Sequence, residues 1–210
     1  SVFDGNNFGA TIRIMADTPE NIQFDGQQTD ERVLYIVVPH QFAKYVALVR
    51  LVLLALFFFF ILQLIASVVP SFTVPIRIAS VVFSGLLLVV GFWWNETVYS
   101  KSKTYITDRR IIRFEVMTPF FTTKRALFWN EALKAKGYAP NIFWKMLGIG
   151  KVRVEPQLAE GEDVLVHDVF MYDDVSNYID KILFTFKNKP ADVAAIKPFV
   201  PKPRGHRDPP

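Results

Sequence analysis

The chain has 210 residues, 51% hydrophobic and 21% charged, so its apolar share is slightly above that of an ordinary soluble domain. It contains no cysteine, which excludes disulfides, thiolate metal sites and cysteine nucleophiles and fits a reducing compartment. A net charge of +4 and a pI near 9.2 are mild, and the basic residues flank two apolar runs instead of gathering with aromatics on one face; that argues for a membrane and against nucleic acid.

Residues 1–32 are rich in Asn, Gln, Asp and Gly. They read as a polar, mostly disordered arm with one short alternation at 10–15 that suits a strand. They lack the basic start and apolar core of a signal peptide. A juxtamembrane segment, 33–46, follows; the β-rich stretch ERVLYIVVPH, at 31–40, leads into it and is stopped by Pro39.

The hydrophobic centre of the chain is 47–94. The run LVLLALFFFFILQLIASVV (51–69) holds Gln63 as its one strongly polar residue, and IASVVFSGLLLVVGFWW (78–94) holds no charge. About 18 apolar residues suffice to cross a hydrocarbon core of about 30 Å as a helix. The loop 70–75, with proline at both ends, makes the two spans antiparallel. Arg32, Lys44 and Arg50 precede the hairpin and Lys101, Lys103, Arg109, Arg110 and Arg113 follow it, whereas the loop has only Arg77 beside it. This bias predicts a multi-pass protein of the cell (inner) membrane with both termini cytoplasmic. Trp93 and Trp94 are then interfacial anchors, and Arg50 reaches the headgroups along its own stem.

After the hairpin, period two dominates. Alternation at 97–107, an Asp108-Arg109 turn and a second run at 110–116 predict a β-hairpin, with further strands at 124–129, 133–139, 152–155 and 164–170. A turn at 159–162 joins the last two. Val175, Ile179, Ile182, Leu183 and Phe186 then fall on one helical stripe, with Asp173 or Asp174 placed to cap it. The region 95–187 therefore reads as an antiparallel β barrel or sandwich closed by a C-terminal amphipathic helix, and the whole chain as an α+β membrane protein.

A strand ending in Pro39-His40, two spans, the sequence YITDRRII at 105–112 and MLGIGKV at 146–152 together resemble the bacterial PH-like (pleckstrin-homology-like) membrane proteins. The resemblance covers roughly 31–186. It implies a PH-like barrel with a capping helix, on the cytoplasmic side of a transmembrane hairpin, and no catalytic activity.

The residues themselves point away from an enzyme. Gly148-Ile-Gly-Lys151 is followed by Val152, not by the Ser or Thr of a phosphate-binding loop, and leads into a strand, so a tight turn is expected. Glu160, Glu162, Asp163, Asp168, Asp173 and Asp174 fit no calcium-loop spacing. His40, His167 and His206 are scattered, and no metal or cofactor is expected. Two binding readings remain besides the bilayer itself. One is a tethered module that scaffolds a protein partner through its sheet edges. The other is acidic-lipid binding by Lys101, Lys103, Arg109, Arg110, Arg113, Lys124 and Arg125, although strand alternation does not put these on one face. A place as accessory subunit in a larger membrane complex is a third class; the small residues Ser67, Ser80, Ser84 and Gly85 suffice for the hairpin alone. The tail, 188–210, is proline-rich and basic, carries a PxxP form at 198–201, and reads as a solvated extension.

Overall fold

The structure is a computed structural model that describes residues 23–118, 120–158 and 161–201. The strand expected at 10–15, part of the turn at 159–162 with Glu160, and the tail end with His206 lie outside the described residues. The chain divides into two compact units. Of the described residues, one unit holds 23–37, 104–113 and 125–201, and the other holds 38–103 and 114–124.

The second unit is built on helix α1, Gln41–Val68, and helix α2, Thr73–Lys101. His40 caps α1, its Nδ1 accepting from the Phe42 N–H at 3.2 Å. At 28 and 29 residues the helices extend about 42 Å each, more than a bilayer core needs. Two helices long and apolar enough to cross a membrane are therefore present. The seam between them is made of small residues: Ala43, Ala55 and Ala66 on α1 and Ser80 and Ser84 on α2 are the buried positions. Gly91 belongs to the same seam, since a Cβ there would come within 2.4 Å of the Leu51 side chain. Gln63 faces inward and donates to Ser80 Oγ at 2.9 Å. Phe58 meets Phe83 edge-on at 5.7 Å, whereas Phe57 and Phe60 point away from the partner helix and are exposed.

The link between the helices is tighter than a six-residue loop. Pro70–Phe72 forms one 3-10 turn and α2 starts at Thr73, whose hydroxyl lies among the carbonyls of Ala66, Val69 and Pro70. Pro75 is accommodated in the first turn, where its missing N–H has no helical partner to lose. At the other end the helix runs on through residues expected to begin a strand. Thr97 and Ser100 turn their hydroxyls back onto the carbonyls of Trp93 and Thr97, and α2 stops only at Ser102, which is extended. The alternation at 97–101 is thus a polar helix end, and the first strand after the hairpin is shorter than expected.

The first unit contains most of the β structure. Strands β1 (Val33–Val37), β2 (Lys103–Thr107), β3 (Arg110–Thr118) and β4 (Phe121–Phe128) form one sheet in that order. Strands β5 (Ala132–Tyr138), β6 (Ile149–Pro156) and β7 (Val164–Phe170) form a second. β1 pairs antiparallel with β2, Val37 opposite Thr104, and β6 pairs antiparallel with both its neighbours, Val154 lying opposite Ala135 and Val164. The sheets do not close into a barrel. The chain leaves the first sheet at Trp129, whose backbone N–H is bonded to Arg109 O, and starts the second at Ala132.

A short helix, α3 (Ile142–Met146), unforeseen in the sequence, sits between β5 and β6. Asn141 caps it by accepting from the Trp144 N–H at 3.0 Å. The turn expected at Gly148 is present, with φ of +68°. The final helix, α4 (Tyr172–Asn188), lays Val175, Ile179, Ile182 and Leu183 into a core shared with Leu34, Ile106, Ile111, Trp129, Val152 and Val166. Its cap is Met171, in a left-handed conformation; Asp173 and Asp174 fall inside the first turn, where they complement the positive helix end.

Both flanking segments pack on the first unit further than their composition suggests. In the arm, Phe24 is buried and stacks on Tyr105 with ring centres 4.8 Å apart. In the tail, Pro190–Ala195 forms a 3-10 turn, Ile196 is buried, and Phe199 packs between Tyr35 and Tyr178 while its N–H bonds Leu34 O. The PxxP form therefore has its middle aromatic already engaged.

Candidate interaction site

The cationic residues singled out in the sequence divide by surroundings. Arg110 is buried. Its Nε and Nη2 bond both carboxylate oxygens of Glu31, at 2.9 and 2.7 Å, and Nη2 also donates to Gly26 O. Its guanidinium lies 5.3 Å from the Phe128 ring centre. Thr107 donates to Glu31 Oε1 or Arg110 O and accepts from the N–H groups of Arg109 and Arg110, and its carbonyl receives the Trp129 indole N–H. Burial pushes the Glu31 carboxyl up, but the bonds from Arg110, the Gln28 amide and Thr107 together hold it below its ordinary value. The Thr-Asp-Arg-Arg sequence at 107–110 is thus a junction that fastens the arm to the sheet.

Arg109 reaches Gln28 at 2.8 Å and Asp30 at 3.7 Å. Arg113 donates to Leu165 O. Lys124 lies over the Phe114 ring, 5.5 Å from its centre, and Arg125 is 3.7 Å from Glu162. Lys101 and Lys103 are exposed, at the end of α2 and the start of β2. Of the three anchors, Arg50, Trp93 and Trp94 are all exposed on the helical unit. One turn further out, Lys44 and Glu96 form an ion pair at 2.5 Å.

A different surface forms between β5 and α4. It is an open groove of about 780 Å³, bordered by Lys136, Tyr138 and Arg153 on the sheet and by Asp173, Asn177 and Asp180 on the helix. Asp180 Oδ1 accepts from the outward Ala135 N–H at 2.8 Å, so the helix already occupies one donor of the β5 edge. Gly137 permits the close approach of α4, because a Cβ there would lie 2.9 Å from Tyr172 O. Gly150 does the same from β6, where a Cβ would lie 2.5 Å from the Tyr172 ring.

The groove continues past Gly137 and Asp173 to α3, where Ile142 and Lys145 line it. Here Ile142 and Met146 are about four-fifths exposed (79% and 81%), and Phe143 is exposed beside them. This short helix thus carries three large, exposed apolar side chains. The run NIFWKML at 141–147, starting with a good cap and ending at glycine, carried the signal for this helix. Among the described residues no group of three or more His, Cys, Asp or Glu is placed to hold a metal. Asp168, at φ of +56° in a bulge of β7, has its carboxyl raised by burial, opposed by Lys151 and Arg113.

No family model, curated protein or solved structure matches the chain.

Proposed function

We propose that this protein is a membrane-anchored, PH-like interaction module that scaffolds a protein partner at the cytoplasmic face of the cell membrane. The observation that carries the reading is the groove beside α4, lined at its α3 end by Ile142 and Lys145, with Phe143 and Met146 exposed on the same short helix. A groove bordered by a strand edge and a helix suits an extended peptide, and a few apolar anchors at one end supply most of the affinity such contacts need. The helical hairpin is the tether: the large side chains exposed along its middle are aliphatic and aromatic, and Gln63 on its inner face is bonded to Ser80. The excess of Lys and Arg before α1 and after α2, against Arg77 alone beside the turn, favours the cytoplasmic side for both flanks of the hairpin. Acidic-lipid binding by the seven basic residues is the weaker reading, because Arg110, Arg109 and Arg113 are spent on Glu31, Gln28 and Leu165.

Photo-crosslinking of the full chain in its native membrane tests this. A cross-linker at Ile142 or Met146 is expected to give a discrete protein adduct that Phe143→Asp abolishes, while one at Lys181 gives none. Equal adducts at all three sites, or none at 142 and 146, would contradict it.

A further inference from the structure

Phe120, in the turn between β3 and β4, and Phe121, which begins β4, are 78% and 72% exposed. The sequence from Met117 to Thr123, MTPFFTT, has no charge. The Phe121 N–H donates to Thr118 Oγ1 at 3.2 Å, a bond that links the two strand ends. Two adjacent phenylalanines in water are an aggregation hazard unless something covers them.

Their neighbour indicates the cover. Residues 114–124 group with the two long helices and not with the rest of the sheets. The Phe120 ring centre lies 6.0 Å from that of Trp93 on α2. Trp93 is twenty residues along from Thr73, where α2 begins, so it stands about 30 Å up the helix, one hydrocarbon thickness. Immediately beyond it the polar groups begin: Asn95 donates to Lys44 O, and Glu96 pairs with Lys44. Trp93 therefore marks the boundary between apolar and polar helix, and the hairpin tip is held at that level. Lys124, exposed and a few residues up β4, is spaced to meet headgroup phosphates while the two rings enter below them.

We infer that the β3–β4 tip is a lipid-interface wedge: Phe120 and Phe121 insert at the inner headgroup–acyl boundary beside Trp93. This gives the chain a third membrane contact besides its two spans, and it rests on the reading that α1 and α2 cross the bilayer. The wedge ties the β3–β4 tip, 114–124, to the membrane plane at one defined depth.

The chain has no native cysteine, so single spin labels report cleanly. Full-length protein in phosphatidylethanolamine–phosphatidylglycerol liposomes would carry a label at Phe121→Cys, Leu86→Cys or Lys181→Cys, and collision with oxygen and with a water-soluble nickel chelate would give depth. Leu86, exposed in mid-span, tests the spanning reading by itself. The expected result is Leu86 near the bilayer centre, Phe121 about 5–10 Å inside the headgroup boundary, and Lys181 in water. Phe121 in water with Leu86 deep in lipid would overturn the wedge alone. Phe121 shielded from both reagents would overturn it in favour of a protein covering the tip. Leu86 in water would overturn the spanning reading and the wedge with it.

Discussion

Glu31 and Arg110 form the pair on which the first unit most depends at the residue scale. The Glu31 side chain is fully shielded and that of Arg110 nearly so, and each satisfies the other twice. Removing one partner leaves a buried charge without compensation. Glu31→Ala is therefore expected to destabilise the unit by about 3 kcal/mol, and Glu31→Ala with Arg110→Met to recover much of that loss, because two apolar partners carry no such penalty. Thermal unfolding in mild detergent measures both. The pH dependence has a fixed sign. The folded-state pKa of Glu31 lies below its ordinary value of 4.5, so the contribution is fully present above 4.5 and is lost as pH falls through the folded pKa. Wild type should lose stability in that acid range by more than Glu31→Ala does; equal acid sensitivity would show that Glu31 carries no linkage.

Glycines set the packing at the element scale. Gly150 lies on β6 under Tyr172, and a methyl group there would lie 2.5 Å from the ring and 2.7 Å from Tyr138 O. Because a backbone oxygen is one of the obstacles, a side-chain rotation does not clear the space. Gly150→Ala should cost about 1–3 kcal/mol and lower the unfolding midpoint accordingly; an unchanged midpoint would mean that α4 does not pack on β6 as described. The same elements show what the sequence could and could not disclose. The two long helices were legible from their unbroken apolar runs, and β3 to β7 and the stripe on α4 because periodicity reports one buried face; the short α3 was not. The arm and tail were not, because Phe24 and Phe199 lie in segments with no apolar periodicity, and their packing depends on Tyr105, Tyr35 and Tyr178 elsewhere in the sequence. The strand expected at 97–101 failed for a related reason: alternating Thr, Tyr and Lys also suits a helix end once an apolar helix runs into it. The groove was invisible, since it is made by two elements whose approach depends on Gly137 and Gly150. The basic residues were visible as a list, but the partners of Arg109, Arg110 and Arg113 were not.

At the scale of the whole molecule, one unit is a helical pair with many large apolar side chains exposed and the other a β unit with a conventional buried core. The proposed scaffold depends on that pair crossing the membrane and returning, so that both ends of the chain share one side. Single cysteines at Ser71, exposed in the turn between the helices, and at Lys181, exposed on α4, test this with a membrane-impermeant maleimide on intact cells of a bacterial host and on inverted inner-membrane vesicles. The account predicts that, once the outer membrane is made permeable, Ser71→Cys is labelled on intact cells and Lys181→Cys only on inverted vesicles. Labelling of both positions from the same side would contradict it.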